Sequence, residues 1–364
     1  MTRTLSRPER IAWARLARTP RIGPLTFHRL LARFTSASAA LEALPRISDA
    51  KPPDQSRIGD ELDALESMGA RLLACCEPDY PPLLAQLDAP PPLLAVRGDV
   101  KLLKRPAIAL IGAREGSAAA LMLAQQIAAD LGAAGFVVVS GMARGVDAAA
   151  HKGALETGTV AVLAGGLDHP YPPQNLKLHE AIVAKGAVVS EAPFGAVARA
   201  RDFPRRNSII SGLSRAVVVI EAALRSGSLI TARAAGDQGR DVMAAPGSPL
   251  DPRARGSNAL IKQGATLIES ADDIIAALGD GGVPARPLSA GPLFADRDVE
   301  SPPGLPKKIA ALLSPTPIHV NDLARLVEAP AGAVAAALTE LELTGQAASL
   351  PGGYATLSGA AFSS

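Results

Sequence analysis

The sequence predicts an α/β protein: a Rossmann-like, doubly wound parallel sheet with a helical module before it and a winged helix after it. Three observations predict this. Six continuous apolar runs rich in Val, Ile and Ala recur between residues 106 and 278, the pattern of strands buried on both faces of a parallel sheet. Helical stretches separate the runs, as right-handed crossovers require. The length, 364 residues, exceeds one ordinary domain, and the pattern changes character at both ends.

Residues 1–75 read as a module of short amphipathic helices. Within it, Thr19–Phe34 places a Pro/Gly-punctuated turn before Leu25, Phe27, Leu30, Leu31 and Phe34 at helical spacing. This is similar to a helix-hairpin-helix (SAM-like) unit, in which a glycine turn aims helix N-termini at a phosphate. A small bundle packed on its neighbour fits the same residues. Residues 76–278 form the sheet domain, with strand runs at 107–112, 136–140, 160–166, 187–191, 216–221 and 241–247. Residues 279–304, rich in Gly, Pro and Asp and without periodicity, read as a linker. Residues 305–364 give a helix, a short helix opened by the cap-like Asn321, a helix over 331–344 ending at Gly345, and a hairpin around Pro351-Gly352-Gly353. That is the rhythm of a winged helix-turn-helix.

Composition narrows the classes. No apolar run approaches the roughly 18 residues of a membrane span, and the N-terminus lacks the apolar stretch of a secretory signal, so a cytoplasmic chain without membrane contact is expected. Cys75 and Cys76 are the only cysteines; two adjacent thiols without a second pair read as buried small hydrophobes rather than metal ligands. The net charge is only +2, but residues 1–33 carry eight arginines against Glu9, and residues 199–206 carry four against Asp202. Such clusters, more than total charge, predict contact with polyanions. The last sixty residues carry four acids against three bases, which argues against a DNA-reading winged helix and for contact with protein or a lost DNA role.

On open α/β sheets ligands bind outside the carboxyl ends of the strands, at the switch point. The first strand run ends Gly112-Ala113-Arg114, with Ser117 placed to cap the next helix, whose N-terminal amides would face an anion. A dinucleotide fingerprint would put glycine at Arg114 and an acid after the second strand, which instead ends Ser140-Gly141. An arginine suits a phosphate better than a ribose diol. Neither this pattern nor a phosphate-binding G-x-x-x-x-G-K-[ST] loop is present, so no nucleotide cofactor is expected. Gly141 and Gly145 allow close backbone approach, with Arg144 at the same rim. His151 stands four residues after Asp147, an ordinary helical pair rather than a catalytic one.

Before the fifth run, Phe203 is followed by Pro204, Arg205, Arg206 and Asn207. Arginines in a helix's first turn oppose its dipole and so are not there for helix stability. An aromatic among arginines can stack a base while holding its backbone; a Phe covering the sheet edge is the plainer alternative. Ser226-Gly227-Ser228 before the next helix forms a second anion nest.

Taken in order, GAR (112–114), SGMARGVDAAAH (140–151), GGLDHPYPPQN (165–175), FPRRNSIISGLS (203–214), EAALRSGSLITA (221–232) and GSNALIKQGA (256–265) resemble the successive signatures of the DprA/Smf family. The segment 79–98 resembles the family's lead-in, so the likeness covers residues 79 to about 268. It implies single-stranded DNA binding, homodimerisation through the Rossmann-like domain, and loading of RecA during natural transformation, with no catalysis. Its DNA pocket maps onto Gly112, Ala113 and Arg114, where the family more often has Gly-Ser-Arg, and onto Phe203 and the basic stretch of Arg199 and Arg201. Near Ala200 many relatives carry a lysine, so Arg199 or Arg201 is expected to supply that charge.

Two other classes compete. A nucleotide N-glycosidase of the lysine-decarboxylase-like Rossmann group would carry P-G-G-x-G-T-x-x-E at a strand end; PGGYATLSG (351–359) has Ala355 for its third glycine and Gly359 for its acid, in the wrong domain. A winged-helix regulator with a ligand-sensing sheet domain is weakened by the acidic balance of the wing.

Overall fold

The structure, a computed structural model, describes residues 3–279, 304–344, 346–350 and 354–358. Four helices open the chain: α1 (Arg7–Ala17), α2 (Pro24–Phe34), α3 (Ala37–Ile47) and α4 (Gln55–Ser67). Pro8 and Pro24 sit in the first turns of α1 and α2, where a missing N–H costs nothing. Their apolar faces, including Trp13, Leu16, Phe27, Ile58 and Leu65, share one core with Leu72, Leu93, Leu163 and Val188 of the sheet. The module is therefore a bundle packed on its neighbour, and its hairpin turn remains at the surface.

The sheet domain runs β1 (Ala70–Ala74), α5 (Pro82–Ala85), β2 (Leu93–Gly98), β3 (Ala107–Gly112), α6 (Ala118–Ala133), β4 (Val137–Ser140), α7 (Val146–Gly153), β5 (Thr159–Leu163), α8 (Leu176–Lys185), β6 (Ala187–Ser190), α9 (Phe203–Gly212), β7 (Ala216–Ile220), α10 (Gly227–Asp237), β8 (Asp241–Ala244), α11 (Arg255–Lys262), β9 (Thr266–Leu267) and α12 (Ala271–Ala277). The nine strands order as β1-β2-β6-β5-β4-β3-β7-β8-β9. Strands β3 to β9 are parallel, while β2 joins β6 and β1 joins β2 antiparallel. Each of the six strand runs read from sequence contains a strand, buried along its length except at the start of β8. Strand β1 lies before residue 76 yet belongs to this sheet.

From β3 the chain winds outward through β4, β5 and β6, then returns to place β7 on the other side of β3. That reversal puts the switch point at the carboxyl ends of β3 and β7. Gly112 pairs with Ile220 there, and a Cβ on Gly112 would stand 1.9 Å from the Ile220 carbonyl oxygen. Only glycine lets the two strand ends close up.

The winged helix comprises α13 (Leu305–Leu312), β10 (Ile318–His319), α14 (Val320–Val327), α15 (Ala331–Leu343), β11 (Ala347–Leu350) and β12 (Tyr354–Leu357), with a three-stranded sheet β10-β12-β11. The cap of α14 is His319, whose Nδ1 accepts from the Asn321 amide, so Asn321 lies inside the helix and not at its cap. Most of the expected linker, Gly345 and the hairpin turn 351–353 lie outside the described residues. Of PGGYATLSG, Tyr354–Leu357 forms the wing strand β12. No helix among the described residues is long and apolar enough to cross a membrane.

Candidate functional site

A cavity of about 720 Å³ opens at the switch point. Its lining includes Gly112, Ala113 and Arg114 after β3, Phe203, Arg206 and Asn207 on α9, and Ser226, Gly227 and Ser228 at the head of α10. Nine of the residues singled out from sequence thus meet in one place. The Phe203 ring is central: the Arg114 and Arg206 guanidinium carbons lie 5.6 and 5.5 Å from its centroid, both within cation–π range. Tyr171 meets the same ring edge-on at 6.5 Å.

Arg206 is held from below. Its Nη1 stands 4.0 Å from the buried Asp147 carboxylate, which also accepts from the amides of Gly141 and Ala143, each at 3.2 Å. Burial raises the Asp147 pKa, against the pull of Arg206 and those amides; burial likewise lowers that of Arg206, against Asp147. A Cβ at Gly141 would fall 1.3 Å from Arg206 Nη1. Gly141 is glycine to admit this guanidinium, not to let a ligand close.

Gly145 has a similar explanation. Its φ is +77°, and a Cβ there would meet the Ala113 carbonyl oxygen at 2.2 Å, so it packs on the loop that carries Arg114. Ser140 is fully buried, its hydroxyl donating to the Leu110 carbonyl at 2.6 Å, and it offers no side chain to a ligand. Asn207 Nδ2 donates to the Gly227 carbonyl at 3.4 Å and Ser228 Oγ to that of Gly112 at 2.7 Å, tying three pieces of the rim together. Arg144 is exposed beside Glu115, 3.7 Å away, and does not line the cavity.

Three further sequence expectations change. The head of α6 is met by the protein's own carboxylate: Glu221 accepts from the Ser117 amide at 2.9 Å and from its hydroxyl. Arg199, Arg201 and Arg205 line a neighbouring cleft, while Ala200 lines the first cavity, so those arginines do not replace the missing lysine there. Arg205 pairs with Glu191 at 2.7 Å. His151 does not pair with Asp147; its Nδ1 meets Thr159 Oγ1 at 2.7 Å, and since that hydroxyl donates to the Val138 carbonyl, Nδ1 carries the proton. Burial, with Arg206 nearby, pushes the His151 pKa down to about 3, so the ring is neutral.

Sequence reasoning passed over Arg225, Arg253 and Tyr171. Arg225 and Arg253 both line the cavity. Arg253 looks like a loop residue without a role, but it donates to the Ala311 and Leu313 carbonyls of the winged helix, at 3.0 and 2.6 Å, while pairing with Asp251 at 2.9 Å. Nothing local in the sequence announces an interaction across nearly sixty residues. Arg225 and Tyr171 sit inside two of the family-like motifs, and their charge and aromaticity were available signals.

The fold and site together define a Rossmann-like binding domain whose switch-point pocket is built from arginines around an aromatic ring, flanked by helix-hairpin-helix and winged-helix modules. The chain belongs to the family described as DNA recombination-mediator protein A: that family's model matches residues 71–279, a DprA-like N-terminal HHH domain matches 7–70, and a DprA winged helix domain matches 295–353. It is 37% identical to Protein Smf of Escherichia coli K12 across 82% of this chain and 81% of that one. It is 42% identical to DNA processing protein DprA of Streptococcus pneumoniae R6 across 54% and 70%. Among solved structures, S. pneumoniae DprA superposes with a TM-score of 0.59 at 34% identity, over 70% of this chain and 86% of that one. A DprA structure from Helicobacter pylori, describing a single-stranded DNA binding mode, gives 0.54 at 30% identity, over 58% and 96%.

Proposed function

We propose that this chain binds single-stranded DNA, with little regard to sequence, in the Arg114–Phe203–Arg206 pocket. The observation that carries the reading is one aromatic ring within reach of two guanidiniums at a switch-point opening. Stacking accepts any base, while the arginines take the phosphates on either side. The H. pylori relative's single-stranded DNA binding mode supports the same ligand here. A rigid duplex keeps its bases stacked on each other and gives Phe203 nothing to stack against.

The protein acts by holding DNA rather than altering it. Asp147, the buried carboxylate at the pocket, is already spent on two amides and Arg206, and the nearby His151 is fixed on Thr159. Neither has the freedom of a general base or nucleophile. The family likeness extends the reading to a cytoplasmic homodimer, joined through the Rossmann-like domain, that protects incoming DNA and loads RecA in transformation and recombination. Anisotropy titrations of a labelled oligothymidylate and a duplex of equal length, across salt, test the core of this. Single strands bind more tightly and with strong salt dependence; equal affinity at matched salt overturns the pocket assignment.

A further inference from the structure

A second cleft, of about 700 Å³, lies on the far side of the short turn Ala200–Asp202. Two domains wall it. The N-terminal hairpin contributes Arg18–Pro24, and the sheet domain contributes the segment after β6 together with Arg199, Arg201 and Arg205. Arg206 borders both this cleft and the switch-point pocket. Its side chain is only 7% exposed, and its Nε is buried without a hydrogen-bond partner.

The charges here are unevenly spent. Arg18 holds the two domains together, donating to the Glu191 carbonyl at 2.9 Å and to Glu61 at 3.1 Å, and Arg205 is paired with Glu191. Among the described residues Arg21 pairs with Asp49 alone, the two side chains being 69% and 84% exposed. Arg201 reaches Asp202 at no closer than 4.0 Å, and Arg199 is exposed. Exposed pairs of this kind are worth little and yield readily to a better anion. Among the described residues no aromatic lines the cleft, so it suits a sugar–phosphate backbone better than a stacked base.

We propose that this cleft is a second phosphate-binding subsite. It holds the backbone of the same DNA strand as that strand leaves the Phe203 pocket past Arg206, and Arg21 of the N-terminal hairpin supplies one of its charges. The inference rests on the single-stranded DNA reading above. It adds a role in binding for a module whose helices otherwise serve only to pack on the sheet.

The test uses the full chain and two oligothymidylates, one of about four nucleotides and one of about twenty, bracketing the reach of a single binding module. The short one is satisfied by the switch-point pocket, the long one must cross the cleft. Arg21→Glu weakens the long oligonucleotide at least about fivefold and flattens its salt dependence by a slope of about 0.7 for each phosphate no longer neutralised, while the short one binds as before. Arg21→Gln gives a smaller loss in the same direction, and Arg21→Lys restores most of it. Melting curves confirm that the variants are folded. If Arg21→Glu and Arg21→Gln bind the long strand normally, the subsite is refuted while the first pocket stands. If Arg21→Glu instead abolishes binding of a polyglutamate peptide with DNA unaffected, the cleft belongs to an acidic protein segment and the proposal falls. Failure of the unmodified chain to bind either oligonucleotide overturns both this inference and its parent.

Discussion

Glu221 closes the head of α6 by accepting from both the amide and the hydroxyl of Ser117. The dipole of α6 is therefore met by the protein's own carboxylate, and a ligand phosphate near Arg114 gains nothing from this helix. Burial raises the Glu221 pKa, opposed by the Ser117 bonds and by Arg253, whose Nε stands 3.7 Å away. Glu221→Ala should cost stability and not affinity. Losing these charge-assisted bonds is worth about 1.5 kcal/mol or more, a fall in melting temperature of roughly 3–6 °C for a unit the size of the sheet domain, about 200 residues. Oligonucleotide affinity should stay within about twofold; a tenfold loss at unchanged melting temperature would place this helix head inside the binding site.

Arg253 ties the winged helix to the pocket wall through Ala311 and Leu313. Arg253→Ala should loosen that attachment, seen as faster hydrogen exchange in residues 305–313 with the sheet strands unchanged. Unaltered protection of this segment would show that the apolar packing of Ala118 into the winged-helix core suffices alone.

Removing residues 305–364 takes Ala311 from the cavity wall and Lys308 from its flank, but leaves Arg114, Phe203, Arg206 and Arg225 in place. Single-stranded DNA affinity should change by less than about tenfold, or 1.4 kcal/mol. A larger loss in a folded protein would make the winged helix part of the DNA site.

His151 gives the protein an acid sensitivity. An exposed histidine takes up a proton near pH 6.5, whereas the buried one in the folded chain resists until about pH 3. Within that window the unfolded state binds the extra proton, so stability falls as pH falls, by at most about 1.4 kcal/mol per pH unit from this group. Asp147, its pKa raised by burial, acts in the opposite sense above the usual carboxylate range. His151→Asn should be less stable at neutral pH yet lose stability less steeply between pH 6.5 and 5; denaturant midpoints with a parallel slope would remove His151 as the cause.

The parallel sheet was readable because burial on both faces leaves an unbroken apolar run, as in Ala107–Gly112 and Ala216–Ile220. Strand β9, two residues long, carries no such signal, and β1 and β2 sit among prolines and helices that mask their pairing. In the site, Arg114, Phe203 and Arg206 were visible as residue types that oppose local structural logic. What sequence did not show is direction. Whether Arg199 and Arg201 turn toward the same cavity as Ala200 depends on a three-residue turn, and whether Gly141 serves a ligand or a neighbouring arginine depends on a side chain sixty-five residues away.

Single-stranded DNA binding by Arg114→Ala, measured by anisotropy at physiological salt, tests the account most directly. The side chain is exposed, so the melting temperature should hold, while affinity falls by on the order of 1.5–3 kcal/mol as the charge-assisted bonds disappear. Arg114→Lys should recover only part, because an ammonium cannot reproduce the planar fork or its stacking on Phe203. Binding by Arg114→Ala equal to that of the unmodified protein would contradict the assignment of this pocket to DNA.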